Sequence, residues 1–124
     1  CFYDQLSPIL RDGRMADGFK INYSEYASSI QEMERLRIKL DDAISRVDFV
    51  ICPSAPSTAS LGLHETGSAS FNMAWTWLHT PVVTLPIAFD TKTELPLGLQ
   101  MVGKRHQDDK LLTHASAVLK YLFK

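Results

Sequence analysis

Chemistry in this chain could rest on a thiol, four imidazoles or a scatter of hydroxyls, and spacing separates these options. Cys52 closes the apolar run Phe49 to Cys52 and is followed by Pro53. A small thiol at the end of an apolar strand is commonly buried and inert, so catalysis by Cys52 is the lesser of two readings. His106 sits in the charged Lys104-Arg-His turn and His114 on the polar face of the terminal segment, where solvation explains both. His64 beside Glu65 lies in a Ser/Gly-rich loop, and His79 precedes Thr80-Pro81. Loops carry function disproportionately, but no spacing here matches a metal-ligand set. The sequence holds no Gly-rich phosphate loop, no H-E-x-x-H and no G-x-S-x-G.

The segment Phe71 to Leu78 offers a different kind of site. Trp75 and Trp77 are two apart, and on a helix such positions point in different directions, so one ring is expected to face a pocket. Phe71, Trp75 and Leu78 share one helical face, and Asn72 and Thr76 share the next. An apolar wall beside a few polar handles suits a small-molecule site. For Phe71 and Leu78, plain core packing is an equal reading; Trp75 reads as pocket wall.

The elements that would position these groups follow from periodicity. Phe2 to Leu10 reads as a short helix, interrupted afterwards by Gly13 and Gly18. Asn22 with Glu25 three residues on forms a capping box. Apolar residues then recur at Tyr26, Ile30, Met33, Leu36, Leu40, Ala43, Ile44 and Val47, predicting an amphipathic helix over 22–47. About 26 residues at ~1.5 Å each make a rod of roughly 39 Å, against a diameter of about 35 Å for a compact body of this length. That length favours a helix lying across something larger.

A strand is expected over 49–52, a short helix over 71–78, a hairpin over 82–102 around the polar loop Asp90 to Glu94, and a terminal amphipathic helix over 108–122. The order implies a mixed α/β architecture, and a sheet of three strands would leave edges that native proteins usually cover or extend.

Hydrophobic residues make up 45% of the 124 and charged residues 22%, the profile of a globular domain. A net charge of −1 with no like-charge block argues against nucleic-acid or anionic-membrane partners. Val82 to Phe89 is far shorter than the ~20 residues that span a bilayer. With only Cys1 and Cys52 there is no disulfide framework, and a cytoplasmic location is expected. The start at Cys1, without methionine or signal-peptide features, is read as a start inside a longer reading frame.

Five ordered motifs carry a resemblance. They are Asp48-x-x-x-x-Pro53-x-x-Pro56; Thr66-Gly67 leading to Phe71-Asn72-x-x-Trp75-Thr76; Pro81 with Pro86; Leu95-Pro96-x-Gly98-Leu99-Gln100-x-Val102-Gly103; and Asp109-x-Leu111-Leu112. Together they resemble the C-terminal part of the amidase-signature family. The resemblance implies the C-terminal portion of an α/β/α sandwich with a mixed sheet, no metal and no organic cofactor. It also implies a serine nucleophile, a second serine in a cis peptide and a lysine base on a Gly/Ser-rich segment upstream.

None of those three groups maps onto this sequence, so no catalytic residue is assigned here and the isolated segment is expected to be inactive. The matching segment places Thr66, Phe71, Asn72 and Trp75 at the substrate pocket. The expected activity of the parent is cleavage of carboxylic amides to acid plus ammonia or amine. The expected partners are a small-molecule amide and the missing N-terminal part of the same enzyme, with a homodimer as a further option. A noncatalytic scaffold derived from the fold is the rival reading. The family's glutaminyl-tRNA-forming member carries an acidic residue shortly before the Phe71 position, where this chain has Ala69, which disfavours glutamine.

Overall fold

Asn22 and Glu25 start the longest helix by completing each other's hydrogen bonds. The Glu25 amide donates to Asn22 Oδ1 at 3.0 Å, and the Asn22 amide donates to Glu25 Oε2 at 2.9 Å. Two otherwise orphaned donors are thereby satisfied. A computed structural model describes Phe2 to Phe123; Cys1, on which the expectation of a longer reading frame rests, lies outside the described residues. The chain divides into two units, Cys1–Arg35 and Leu36–Lys124.

In the first unit a 3-10 turn, Phe2–Gln5, precedes a π-helical segment, Leu10–Met15, and a short α-helical turn, α1, Ala16–Gly18. The Tyr3 hydroxyl donates to the Arg11 carbonyl at 3.3 Å, and the Tyr3 and Phe19 rings lie 6.4 Å apart. Gly13, expected to interrupt helical structure, sits inside the π segment instead. The wider π turn tolerates it because a single glycine weakens a helix without forbidding it.

Helix α2 spans Tyr23–Ala43, four residues short of the expected end at Val47. Ile44 still donates to Leu40, but Ser45 donates to Asp42 and Val47 to Ile44, three residues back rather than four. The Ser45 hydroxyl also donates to the Asp42 carbonyl at 2.7 Å, so terminal carbonyls are satisfied by a tightened turn. At 21 residues the helix is roughly 32 Å long. Its expected apolar stripe is buried only in part: Met33 and Ile44 are buried, whereas Tyr26 is 58% exposed.

The second unit is built on a sheet of three strands in the order β1-β3-β2: β1, Val50–Pro53; β2, Val82–Phe89; β3, Pro96–Val102. Both pairings are antiparallel, so all three described strands alternate in direction. β1 begins and ends one residue later than expected. Ile51 faces Met101 and Met101 faces Val83; Cys52 faces Gln100 and Gln100 faces Thr84. One face of the sheet packs on the terminal helix α4, Asp108–Leu122, through Leu85, Met101, Leu111 and Ala115, with Phe49, Val83, Val118 and Leu119 around them. The helix has Asp108 and Asp109 in its first turn, where the dipole favours negative charge. The last part of α2 is tied to the end of β3, with Arg105 donating to both Asp41 carboxylate oxygens and Lys104 to the Ser45 carbonyl at 2.9 Å.

Asp90 closes the hairpin between β2 and β3. Its Oδ2 accepts from the amides of Lys92 and Thr93, at 3.1 and 2.8 Å, and from the Thr93 hydroxyl at 2.8 Å. The Thr93 amide is the main reason the carboxyl is held below its ordinary value, with the Thr93 hydroxyl adding to it. A depressed folded-state value means stability present above the unfolded value of about 3.9 and lost as pH falls through the folded one. Hairpin stability should therefore be flat above about pH 5 and fall only below about pH 4. Following the Asp90 carboxyl by NMR should give an inflection below the ordinary range, abolished in Asp90→Asn; an inflection at or above that range would contradict the assignment. Among the described residues, no helix is long and apolar enough to cross a membrane.

Candidate functional site

Two prolines, Pro53 and Pro56, stop β1 and open an irregular segment that runs to α3, Met73–Leu78. Gly62 and Gly67 take positive φ values of 86° and 78°, a region open to glycine at no steric cost, and these bends fold the loop back beside the sheet. The result is a groove of 710 Å³ at the exit of β1. Ile51, Ile87, Leu97 and Leu99 supply apolar surface, and Ser57, Thr58 and Thr66 supply hydroxyls. Ile87 is delivered there by a bulge: Pro86 pairs with Gly98 and Ala88 with Leu97, leaving Ile87 unpaired between them. Bulges re-aim side chains in this way, and Pro86 is tolerated because β2 is an outer strand of the three.

Cys52, which lines the groove, begins a row of side chains on the sheet face opposite the α4 core. Cys52, Gln100 and Thr84 face one another across the three strands. Gly98, two residues before Gln100, lies on the same face and lets β1 continue past its last paired residue. The amide and hydroxyl of Ser54 both donate to the Gly98 carbonyl, at 3.0 and 3.1 Å.

The expected helix over 71–78 begins two residues later, at Met73, because Phe71 and Asn72 form the turn that leads into it. Two carboxamides attach that turn. Gln100 Nε2 donates to the Phe71 carbonyl at 3.0 Å and to Cys52 Sγ at 3.4 Å, and Asn72 Nδ2 donates to the Ser54 carbonyl at 3.1 Å. At the other end of α3, His79 adopts a left-handed cap at φ 57°. Arg37, 5% exposed, donates to the Trp77 carbonyl at 3.2 Å, placing a cation at the carbonyl end of the helix.

Of the four residues expected at a substrate pocket, Thr66 lines the groove. Phe71, Asn72 and Trp75 lie on the turn and helix fastened to its rim through Cys52 and Ser54, which do line it. Trp75 is half-buried and Trp77 is 42% exposed, so the two rings differ in environment. The histidines are dispersed: His64 is exposed in the loop, His106 holds a turn at φ 60°, and the His114 ring lies 5.5 Å from that of Phe49. Sequence reasoning gave no role to Gln100, Gly98 or Arg37. For the first two the signal was their place in the Leu95 to Gly103 motif; for Arg37 it was its spacing from Met33 and Ile44 on one helical face.

A family model described as amidase matches residues 3–112. Similar proteins include a glutamyl-tRNA(Gln) amidotransferase subunit of Prochlorococcus marinus strain MIT 9312, 29% identical over 82% of this chain and 22% of the relative. The corresponding protein of Picosynechococcus sp. is 32% identical over 73% of this chain and 20% of the relative. This chain thus spans about a fifth of the length of the relatives it matches. Among solved structures, an amidase superposes with a TM-score of 0.81 at 27% identity, covering 96% of this chain and 30% of that one. The glutamyl-tRNA(Gln) amidotransferase structure from Thermotoga maritima, at 20% identity and a TM-score of 0.56, shares the fold.

Proposed function

The chain belongs to the amidase family, and from that premise we propose that it is a C-terminal segment of an amidase-type hydrolase, converting a carboxylic amide and water to a carboxylic acid and ammonia or an amine. The observation that carries the reading is the superposition on an amidase over 96% of these residues. In this reading the nucleophile, its proton shuttle and the base belong to a Gly/Ser-rich segment outside these 124 residues. A hydroxyl is a weak nucleophile until a positioned base takes its proton, and backbone amides beside it would hold the oxyanion. This segment supplies the sheet, the covering helix α4 and one side of the acyl site. The enzyme acts in the cytoplasm on a small, uncharged amide, since nothing in the groove presents a dense charge.

A second reading follows from the relatives named as glutamyl-tRNA(Gln) amidotransferase, one of them 32% identical. In it the amide is glutamine and the ammonia is passed on rather than released. Ala69 speaks against it, because no acidic side chain stands there to pair with glutamine's ammonium.

The test is to join these residues to their upstream coding sequence and assay ammonia release from simple aliphatic and aryl carboxamides and from glutamine. Release from the simple amides, with none from the 124 residues alone, is expected. Turnover of glutamine alone would select the second reading, and no turnover of any amide would leave a scaffold. In the active enzyme Trp75→Ala should change the preference between small and bulky acyl groups by about tenfold or more, the scale set by a few apolar contacts. Unchanged selectivity would remove Trp75 from the acyl site.

A further inference from the structure

Gln100 is an expensive residue for the middle of a sheet. Its side chain is fully buried, and its Oε1 is enclosed with no hydrogen-bond partner in the described structure. Leaving a buried acceptor unsatisfied is costly, and a hydrogen bond made elsewhere by the same side chain returns only a modest net gain. The carboxamide is thus a poor choice for stabilising β3.

What the amide achieves lies at its other end. Its two Nε2 hydrogens go to different elements, one to the Phe71 carbonyl and one to Cys52 Sγ. The orientation of the amide follows from this, since turning it over would set Oε1 against the Phe71 carbonyl oxygen. Phe71 is the residue at which the loop turns into α3; the amides of Asn72 and Met73 close that turn on the Ala69 carbonyl, and Asn72 holds Ser54 at the groove rim. The central strand, the groove strand and the helix carrying Trp75 therefore meet at one carboxamide.

We propose that Gln100 is a positioning residue: it fixes the Phe71-Asn72 turn, and through it Trp75, against the sheet, and so sets acyl selectivity. The proposal rests on the amidase reading, but its first test is independent of activity. In Gln100→Met, amides of the sheet such as Thr84 and Met101 keep their hydrogen-exchange protection within about twofold. Those of Asn72, Met73 and Thr76 exchange roughly three to ten times faster, the change expected for loss of one hydrogen bond. Equal slowing or quickening of sheet and turn would make Gln100 merely structural and overturn the proposal, as would an unchanged turn.

Gln100→Glu provides a second handle should the methionine variant fold poorly. Its protonated carboxyl retains a donor for the Phe71 carbonyl, so protection of the turn recovers at acidic pH and is lost on ionisation. Absence of that pH-dependent recovery would count against the clamp. In the complete enzyme, Gln100→Met shifts KM and the preference between acyl groups more than kcat for the smallest amide. A loosened turn with unaltered selectivity overturns the proposal, whereas a wild-type enzyme that hydrolyses no amide overturns the amidase reading and leaves the exchange result standing.

Discussion

Met101→Ala is expected to destabilise the sheet by about 2–5 kcal/mol, the cost of truncating a large buried side chain and leaving a partly collapsed cavity. Met101 has no solvent exposure and sits among Leu85, Leu111 and Ala115, where α4 closes over the sheet. Exchange of the β3 amides should accelerate by at least about thirtyfold, at tenfold for each 1.4 kcal/mol. Met101→Leu conserves volume and should cost less than about 1.5 kcal/mol. The control is Ile51, which faces Met101 across the β1–β3 pairing but is 57% exposed. Ile51→Ala removes a comparable amount of apolar side chain and should cost a fraction as much. Equal losses at the two positions would mean that α4 does not close the core as described.

The contrast between these two residues also explains how much of the fold was legible. Runs of apolar, β-favouring residues marked Phe49 to Cys52 and Val82 to Ile87 as strands, and the polar run Asp90 to Glu94 announced the hairpin, because such runs and turn chemistry are local properties. Helix α4 was readable for the same reason. What local patterning could not supply was which apolar residues receive cover: Ile51 and Met101 look alike in sequence, as do Tyr26 and Met33 on α2. The end of α2 also escaped, since Val47 keeps the helical period while Ser45 offers its hydroxyl to the Asp42 carbonyl and tightens the turn. At the site, Thr66 lines the groove and belongs to a segment that the ordered motifs singled out. The role of Gln100 could not be read, because its partners at Phe71 and Cys52 are 29 and 48 residues away, and a lone Gln in an apolar strand carries no local signal of what it holds.

Gly98→Ala is the second change expected to have a large effect, and here the cause is crowding rather than a void. A Cβ at this position would lie 2.2 Å from Ser54 Oγ, 2.7 Å from Thr84 Cγ2 and 3.1 Å from Ser54 Cβ. Rotation of the Ser54 hydroxyl relieves the first contact but gives up its bond to the Gly98 carbonyl. Thr84, β-branched, has little freedom to move its methyl. Overpacking of this kind costs about 1–3 kcal/mol. Because the two strands are pressed from opposite sides, relief requires room on both: Ser54→Gly or Thr84→Ser alone should recover part of the loss, and the triple variant most of it. Each pair should show coupling of about 0.5–3 kcal/mol in a double-mutant cycle. The same strain reaches the groove, since Ser54 carries the carbonyl that holds Asn72. The turn amides of Asn72 and Met73 should lose protection in Gly98→Ala together with the sheet, unlike the Gln100→Met pattern, in which the turn alone loosens. Additive effects with no recovery would mean that Gly98 is required for its backbone conformation and not for the close approach of its neighbours.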